Sequence, residues 1–527
     1  MPRESQAPTT SLKPIAKADF GYEQARHLLW RAGFGGTPEQ IRTLADWGPE
    51  KAVDHLLNVE EIESYPDPKA DEFEDGIMRP LSEEERRQLR LAQRNQDEDV
   101  LARFRLEQQR RQGQDREQIR AMQRWWLRRM IETPKPLEEK MTLFWHGHFA
   151  TSYRTIENSY HLYLQNAMFR KHAVGDFGQL LFSIIRDPAM LKYLDNDESR
   201  KEHPNENLAR ELMELFSLGE GAYTERDIKD GARALTGYTF VFNDFVFREE
   251  WHDNGDKHIL GRSGNLDGDG FVRAILERRA CAEFICAKLY RYFVNELPEA
   301  PGGSGGTMGS GGSGGRDRVE PQRRAIVSVV QQLAGTFLQA KYQLKPVLRR
   351  LFLSEHFYDP ANMQAQIKSP AQLIVGAVRS LGTPVRDLGI LADAMDLMGQ
   401  NLFFPPNVAG WAGGRAWINT STLYVRQNIM NFLLTGKTPR GFDPLASLEK
   451  YDPTALLANL AQSNPGAEKD PARVVDYVLR FALGGEPSAA RRETLVSFLN
   501  EHGGRITPDS LTGVLALITA MPEYQLC

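Results

Sequence analysis

The chain has 527 residues, 41% apolar and 26% charged, with a formal net charge of −5. Those values describe an ordinary globular protein and argue against a nucleic-acid binder that works by bulk charge. Three cysteines, two of them in one helix at positions 281 and 286, do not make a disulfide framework.

No run approaches the roughly 18 to 20 apolar residues of a membrane span. The opening, Met1 to Gln6, lacks the apolar core of a secretory signal. The expected location is therefore cytoplasmic as written, or periplasmic or exported if a signal has been removed.

In chain order, residues 1–18 read as a flexible polar arm. A main helical domain spans 19–440, and a small helical C-terminal subdomain spans 441–527. Ala25, Leu28, Leu29 and Ala32 form a helical stripe that stops at Gly33. Thr37, Pro38 and Gln40 then predict a capped restart. Residues 82–131 read as a charged helical projection opened by Ser82 and Glu85. Its C-terminal half, with Ile119, Met122, Trp126 and Met130, docks on the body, and Gly113 divides it.

Further helices are predicted over 137–145, 156–171, 177–186 and 205–218, and from Thr224 to Gly237. The tract 239–247 (Thr-Phe-Val-Phe-Asn-Asp-Phe-Val-Phe) is the one good β-hairpin signal. Residues 301–316 form a Gly/Ser linker insertion by composition. Helices resume after it, interrupted by a loop over 403–419 rich in Pro, Gly, Trp and Asn. The fold class is mostly α: a large bundle-like domain with one short hairpin and a small C-terminal helical unit.

Three polar tracts carry candidate chemistry. At 100° per residue, Leu208, Leu212, Met213 and Phe216 fill one arc of their helix, and Glu206, Asn207, Arg210, Glu211 and Glu214 fill the other. The plain reading is a solvated face with an i,i+4 Glu206–Arg210 pair worth about 0.3 kcal/mol. The functional reading is carboxylates projecting into a site. His146 and His148 flank Gly147; if the helix breaks there, both imidazoles converge. His252 and Asp253 follow the hairpin in a polar tract that reaches Lys257 and His258. Seven of the eleven histidines lie between 146 and 258.

Asn265, Asp267, Asp269 and Gly270 resemble the start of a calcium loop. The twelfth position is Leu276 rather than a bidentate Glu, so the tract is read as an Asp-Gly turn. There is no P-loop, no Gly-x-Ser-x-Gly elbow, no His-Glu-x-x-His and no dinucleotide fingerprint.

Taken together, several stretches are highly specific. They include Ala25-Arg26-His27-Leu28-Leu29-Trp30-Arg31-Ala32-Gly33-Phe34-Gly35 and Phe144-Trp145-His146-Gly147-His148-Phe149. Others are Pro188 to Asn196, Pro204 to Phe216, Ala232 to Tyr238, His252-Asp253-x-Gly255-x-Lys257 and Phe403 to Trp411. On these motifs the chain resembles, from about residue 23 to 435, a bacterial family catalogued as domain of unknown function 1800. The resemblance implies a mostly helical protein and frequent export, and no reaction for the family as a whole. The Gly/Ser stretch and the charged helix look like insertions between family segments.

His146, His148, Asp195, Asn205, Glu206, Arg210, Glu211, Glu214, His252 and Asp253 all fall inside those motifs, so a convergent polar site is expected. The favoured expectation is a metal-dependent enzyme, a hydrolase with a metal-activated water. His146, His148, Asp195, Glu214, His252 and Asp253 would hold zinc, iron or manganese. Glu206, Arg210, Glu211 and Lys257 would form the catalytic set, a free carboxylate acting as base and Arg210 orienting an anionic substrate. One alternative is a non-catalytic scaffold in which the polar residues form a structural network, with 82–131 or 403–419 binding a protein partner. Another is a haem or non-haem iron oxidoreductase, any haem being non-covalent for want of a Cys-x-x-Cys-His motif.

Overall fold

In the computed structural model, residues 8–68, 72–297, 316–437, 449, 451–484 and 488–527 are described; within them, the side chains of 316–321 are not. The linker expected at 301–316 lies, apart from its last residue, outside the described residues.

The described chain is mostly α-helical, with two small antiparallel hairpins. The helix starts follow local capping chemistry. The Thr37 hydroxyl accepts from Gln40 N while the Gln40 side chain returns to Thr37 N. Ser82 and Glu85 do the same at the next long helix, and each such box contributes about 1 kcal/mol.

The first hairpin pairs β1 (Tyr238–Val241) with β2 (Asp244–Phe247) across a turn in which Phe242 is left-handed, φ 58°. A second pairs β3 (Lys257–Ile259) with β4 (Arg262–Gly264). Its strands are too short to show alternation in the sequence.

The Pro136–His148 helix is the hub of the molecule. All its residues except Glu138 and Gly147 are buried. It runs through Gly147, where a helix break is expected from the sequence. Tertiary packing overrides the propensity of about 1 kcal/mol against glycine. The Trp411 ring lies over Gly147, where an added Cβ would stand 3.4 Å from it. Gly410, at φ +79°, packs so closely that a Cβ would meet the Gly147 carbonyl oxygen at 2.0 Å. The 403–419 loop therefore turns much of its apolar content inward: Phe403 is fully buried and its carbonyl accepts from Tyr153 N at 3.0 Å.

The charged projection is two helices, Glu83–Asn95 and Glu98–Glu132. They divide at left-handed Gln96, and the second passes straight through Gly113. Ile119, Met122, Trp126 and Met130 are buried, as their spacing predicts. From residue 8 onward the expected flexible arm is held in place. Ile15 N donates to Leu353 O (2.8 Å), and Glu355 N and His356 N donate to Lys13 O and Ser11 O.

The apolar core is continuous from Leu12 to Tyr524, and so takes in the C-terminal helices. Arg26, on the Tyr22–Ala32 helix, donates to the carbonyls of Phe481 (2.7 Å) and Ala482 (2.6 Å). Those are among the last carbonyls of the Pro471–Leu483 helix, where a cation complements the dipole. No helix of the described residues is long and apolar enough to cross a membrane.

Candidate functional site

The structure places the expected site residues in separate structural roles. Because the hub helix does not break, His146 and His148 point apart. The Asn166 amide donates to His146 Nε2 at 3.0 Å. The amide's orientation is set by Arg170, which donates to Asn166 Oδ1 at 2.7 Å. The His146 ring is boxed by Trp126, Phe169 and Phe403 at 4.6, 4.8 and 5.4 Å. His148 Nε2 donates to the Phe216 carbonyl at 2.9 Å, and its buried Nδ1 has no partner among the described residues. Burial pushes both imidazoles down to about 3, with help from Arg170 at His146 and Lys288 at His148. Both rings are neutral at ordinary pH.

His252 Nδ1 donates to Thr236 O at 2.8 Å. Asp253 receives Arg233 Nε at 2.7 Å, and that pairing holds its carboxyl below the usual range. The Lys257 ammonium, buried, donates to the Asp253, Gly255 and Asn265 oxygens. Glu214 accepts from the Tyr223 hydroxyl at 2.7 Å. Glu206 and Glu225 share Arg210. Glu211 stands half-buried, its carboxyl raised by burial and by Glu214. Asp195 is exposed with left-handed φ 54°, and its carbonyl accepts from the Asn205 amide.

Among the described residues, no three His, Cys, Asp or Glu side chains converge as a metal ion requires. The expected ligands of zinc, iron or manganese are therefore not gathered into one centre. Asp267, in the tract resembling a calcium loop, caps the Gly268–Leu276 helix by accepting from Gly270 N.

The site the structure does assemble lies on the other side of His146. Glu139 sits two turns before His146 on the hub helix and is fully buried. It receives Arg129 Nε and Arg170 Nε at 2.6 Å each and Trp126 Nε1 at 2.9 Å. Burial opposes its charge, but the two guanidiniums outweigh that and hold its carboxyl low. The chain His146–Asn166–Arg170–Glu139–Arg129 thus forms one hydrogen-bonded line through the core.

That line ends in a cleft of about 310 Å³ between the Glu98–Glu132, Pro136–His148 and Ser159–Lys171 helices and the 59–68 segment. Trp125 and Tyr163, with ring centroids 5.9 Å apart, form an aromatic wall. Arg129, Glu138 and Arg170 line its polar side, and Lys171 sits at its exposed margin. Segment 59–68 is tied across the opening by Ser64 to Lys135, Tyr65 to Glu132 and Asp67 to Arg129. The Glu138 carboxylate makes no hydrogen bond among the described residues. Its closest cationic atom is Arg129 Nη2, at 3.8 Å. Burial, then Glu139, raises its carboxyl above the usual range.

None of these cleft residues stands out in the sequence, where they sit among other charged residues. One signal was available. Glu139 lies on the face of His146, seven residues earlier, in a helix otherwise apolar enough to be buried.

The sequence model of a family described as "Protein of unknown function (DUF1800)" matches residues 27–304 and 319–526. The match breaks at the Gly/Ser stretch and runs unbroken through the long charged helix. No curated protein and no solved structure matches the chain. Since the matched residues include the hub helix, the cleft and the C-terminal helices, the chain belongs to the family described as Protein of unknown function (DUF1800).

Proposed function

We propose that the protein is a non-catalytic binding scaffold whose polar family motifs serve the fold. The observation that carries this reading is where the motif side chains go. His146, His148 and His252 each spend a ring nitrogen on an internal partner, Asp253 and Glu214 meet half-buried Arg233 and Tyr223, and Glu206 pairs with Arg210 at the surface. Buried polar networks of this kind fix one packing arrangement, and half-broken ones are costly. A hydrolase would instead need a base and a metal or nucleophile aimed at one open volume.

The test is metal analysis and thermal melting of the purified protein and of His146→Gln and Asp253→Asn. The scaffold reading expects substoichiometric zinc, iron and manganese, no change in melting on chelation, and a lowered melting temperature in both variants. Stoichiometric metal that is lost in either variant would overturn it, and so would a hydrolytic activity abolished at an unchanged melting temperature.

A further inference from the structure

We propose that the cleft beside Glu139 binds a small monocarboxylate with an aromatic body, which takes the place of Asp67 on Arg129. The inference rests on the binding-scaffold reading and gives it a ligand.

Two buried guanidiniums, Arg129 and Arg170, face one fully buried carboxylate, Glu139. Glu138 adds a second carboxylate, 3.8 Å from Arg129 Nη2 but without a hydrogen bond to it. On the cleft side, the Asp67 carboxylate accepts from Arg129 Nη1 at 3.0 Å. The two ends of that pair are unlike. The Arg129 side chain is 3% exposed, whereas that of Asp67 is 82% exposed. A buried guanidinium is pre-organised for a planar oxyanion. An exposed aspartate holding it loses little by swinging back to water, since exposed pairs contribute about 0–1 kcal/mol. Asp67 thus occupies a carboxylate position without being committed to it.

The rest of the cleft describes what the incoming carboxylate is attached to. Trp125 and Tyr163 line one side, and Ala167 and Val174 extend the apolar surface. A volume of about 310 Å³ is at the lower end for small-molecule sites and suits one ring with a short acid arm. One negative charge is the right number. A monoanion replacing Asp67 leaves the cleft as neutral as before, while a dianion would meet Glu138. The Glu138 carboxyl, without a hydrogen bond among the described residues, faces the same space and is available to a ligand hydroxyl or amide. This carboxylate chemistry is shared by a free aryl acid and by the end of a peptide with an aromatic last residue.

The experiment is calorimetric titration of the full chain with phenylacetate, with N-acetylphenylalanine and, as the uncharged control, with phenylacetamide. Wild type and Asp67→Ala are compared. The proposal expects saturable binding of an acid and at least tenfold weaker binding of the amide. It also expects about fivefold tighter acid binding in Asp67→Ala, because the resident competitor is gone. Better binding of phenylacetate points to a free acid, and better binding of N-acetylphenylalanine to a chain terminus. Trp125→Ala should lose affinity for either. Binding seen only in Asp67→Ala still supports displacement. No saturation by either acid in both proteins up to about 10 mM, equal binding of the amide, or weaker binding in Asp67→Ala would overturn the proposal. Such a failure would leave the metal and melting results untouched, so the ligand inference and the scaffold reading fall separately.

Discussion

Replacing His148 with Gln separates its titration from its hydrogen bond. A glutamine amide can still donate to the Phe216 carbonyl, but it cannot take up a proton. In the folded state His148 is held down to about 3 against 6.5 when free, because burial strips the imidazolium of water and Nδ1 would carry an unpaired proton. The folded form therefore binds fewer protons than the unfolded form between those two values. Stability from His148 is whole above about pH 6.5 and drains as the pH falls toward 3, by about 1.4 kcal/mol per pH unit. At about pH 4.5 the wild type has lost roughly 2.7 kcal/mol through this one ring.

His148→Gln should cost about 1–2 kcal/mol at neutral pH, from poorer packing against Phe144 and Phe149. It should then overtake the wild type by about 1 kcal/mol near pH 4.5. Asp187, buried and thereby pushed up to about 7, works in the opposite direction in that range. It is present in both proteins and cancels in the difference. Urea unfolding followed by far-UV circular dichroism at three pH values measures the gap. A gap that stays constant from neutral to acid pH would refute the reasoning, as would a His148 NMR titration centred near its free value.

Two further outcomes follow from the packing. Lys140 is fully buried, 5.1 Å from the Phe34 ring and 5.5 Å from the Tyr292 ring, and burial pushes it down to about 7. Lys140→Met should therefore stabilise the protein by about 2–4 kcal/mol near pH 7.5, and that gain should fade as the pH rises toward 10.5, where the unfolded lysine also loses its proton. A pH-independent gain in chemical denaturation would contradict this. Gly410→Ala should cost about 3 kcal/mol or more by thermal unfolding, since it adds a clash to a left-handed backbone. Gly382→Ala, left-handed at φ +67° and ψ 32° but with nothing within 4 Å of its Cβ, should cost only about 1 kcal/mol. Equal costs would mean that the contact with Gly147 is not what matters.

The parts of the fold set by neighbours in sequence could be read in advance. Thr37 with Gln40, Ser82 with Glu85 and the aromatic hairpin around Asn243 all rest on interactions spanning a few residues. What could not be read was set by distant partners. A break at Gly147 is a sound local expectation, but Trp411 and Gly410 dock on that position from more than 250 residues away and hold the helix straight. Because the histidine geometry hung on that break, convergence of His146 and His148 failed with it. The helical projection correctly put Glu211 and Glu214 on the polar side. It could not name Tyr223 as the partner of Glu214. The cleft was hidden because Arg129 and Arg170 stand beside charged neighbours that are solvated, Arg128 and Lys171, and Glu138 is one of three successive charged residues. Burial, not residue type, distinguishes them.

The Arg26 clamp has a consequence for how the protein is made. Its acceptors, Phe481 and Ala482, lie 455 and 456 residues downstream, and the guanidinium is shielded from water in the finished molecule. During synthesis the first helix is produced long before the carbonyls that receive it. Until then its guanidinium lacks these two acceptors, so the Tyr22–Ala32 helix completes its packing only after the C-terminal helices are made. A ribosome stalled short of the Pro471–Leu483 helix would carry a chain with an open apolar seam, a natural target for chaperones and proteases.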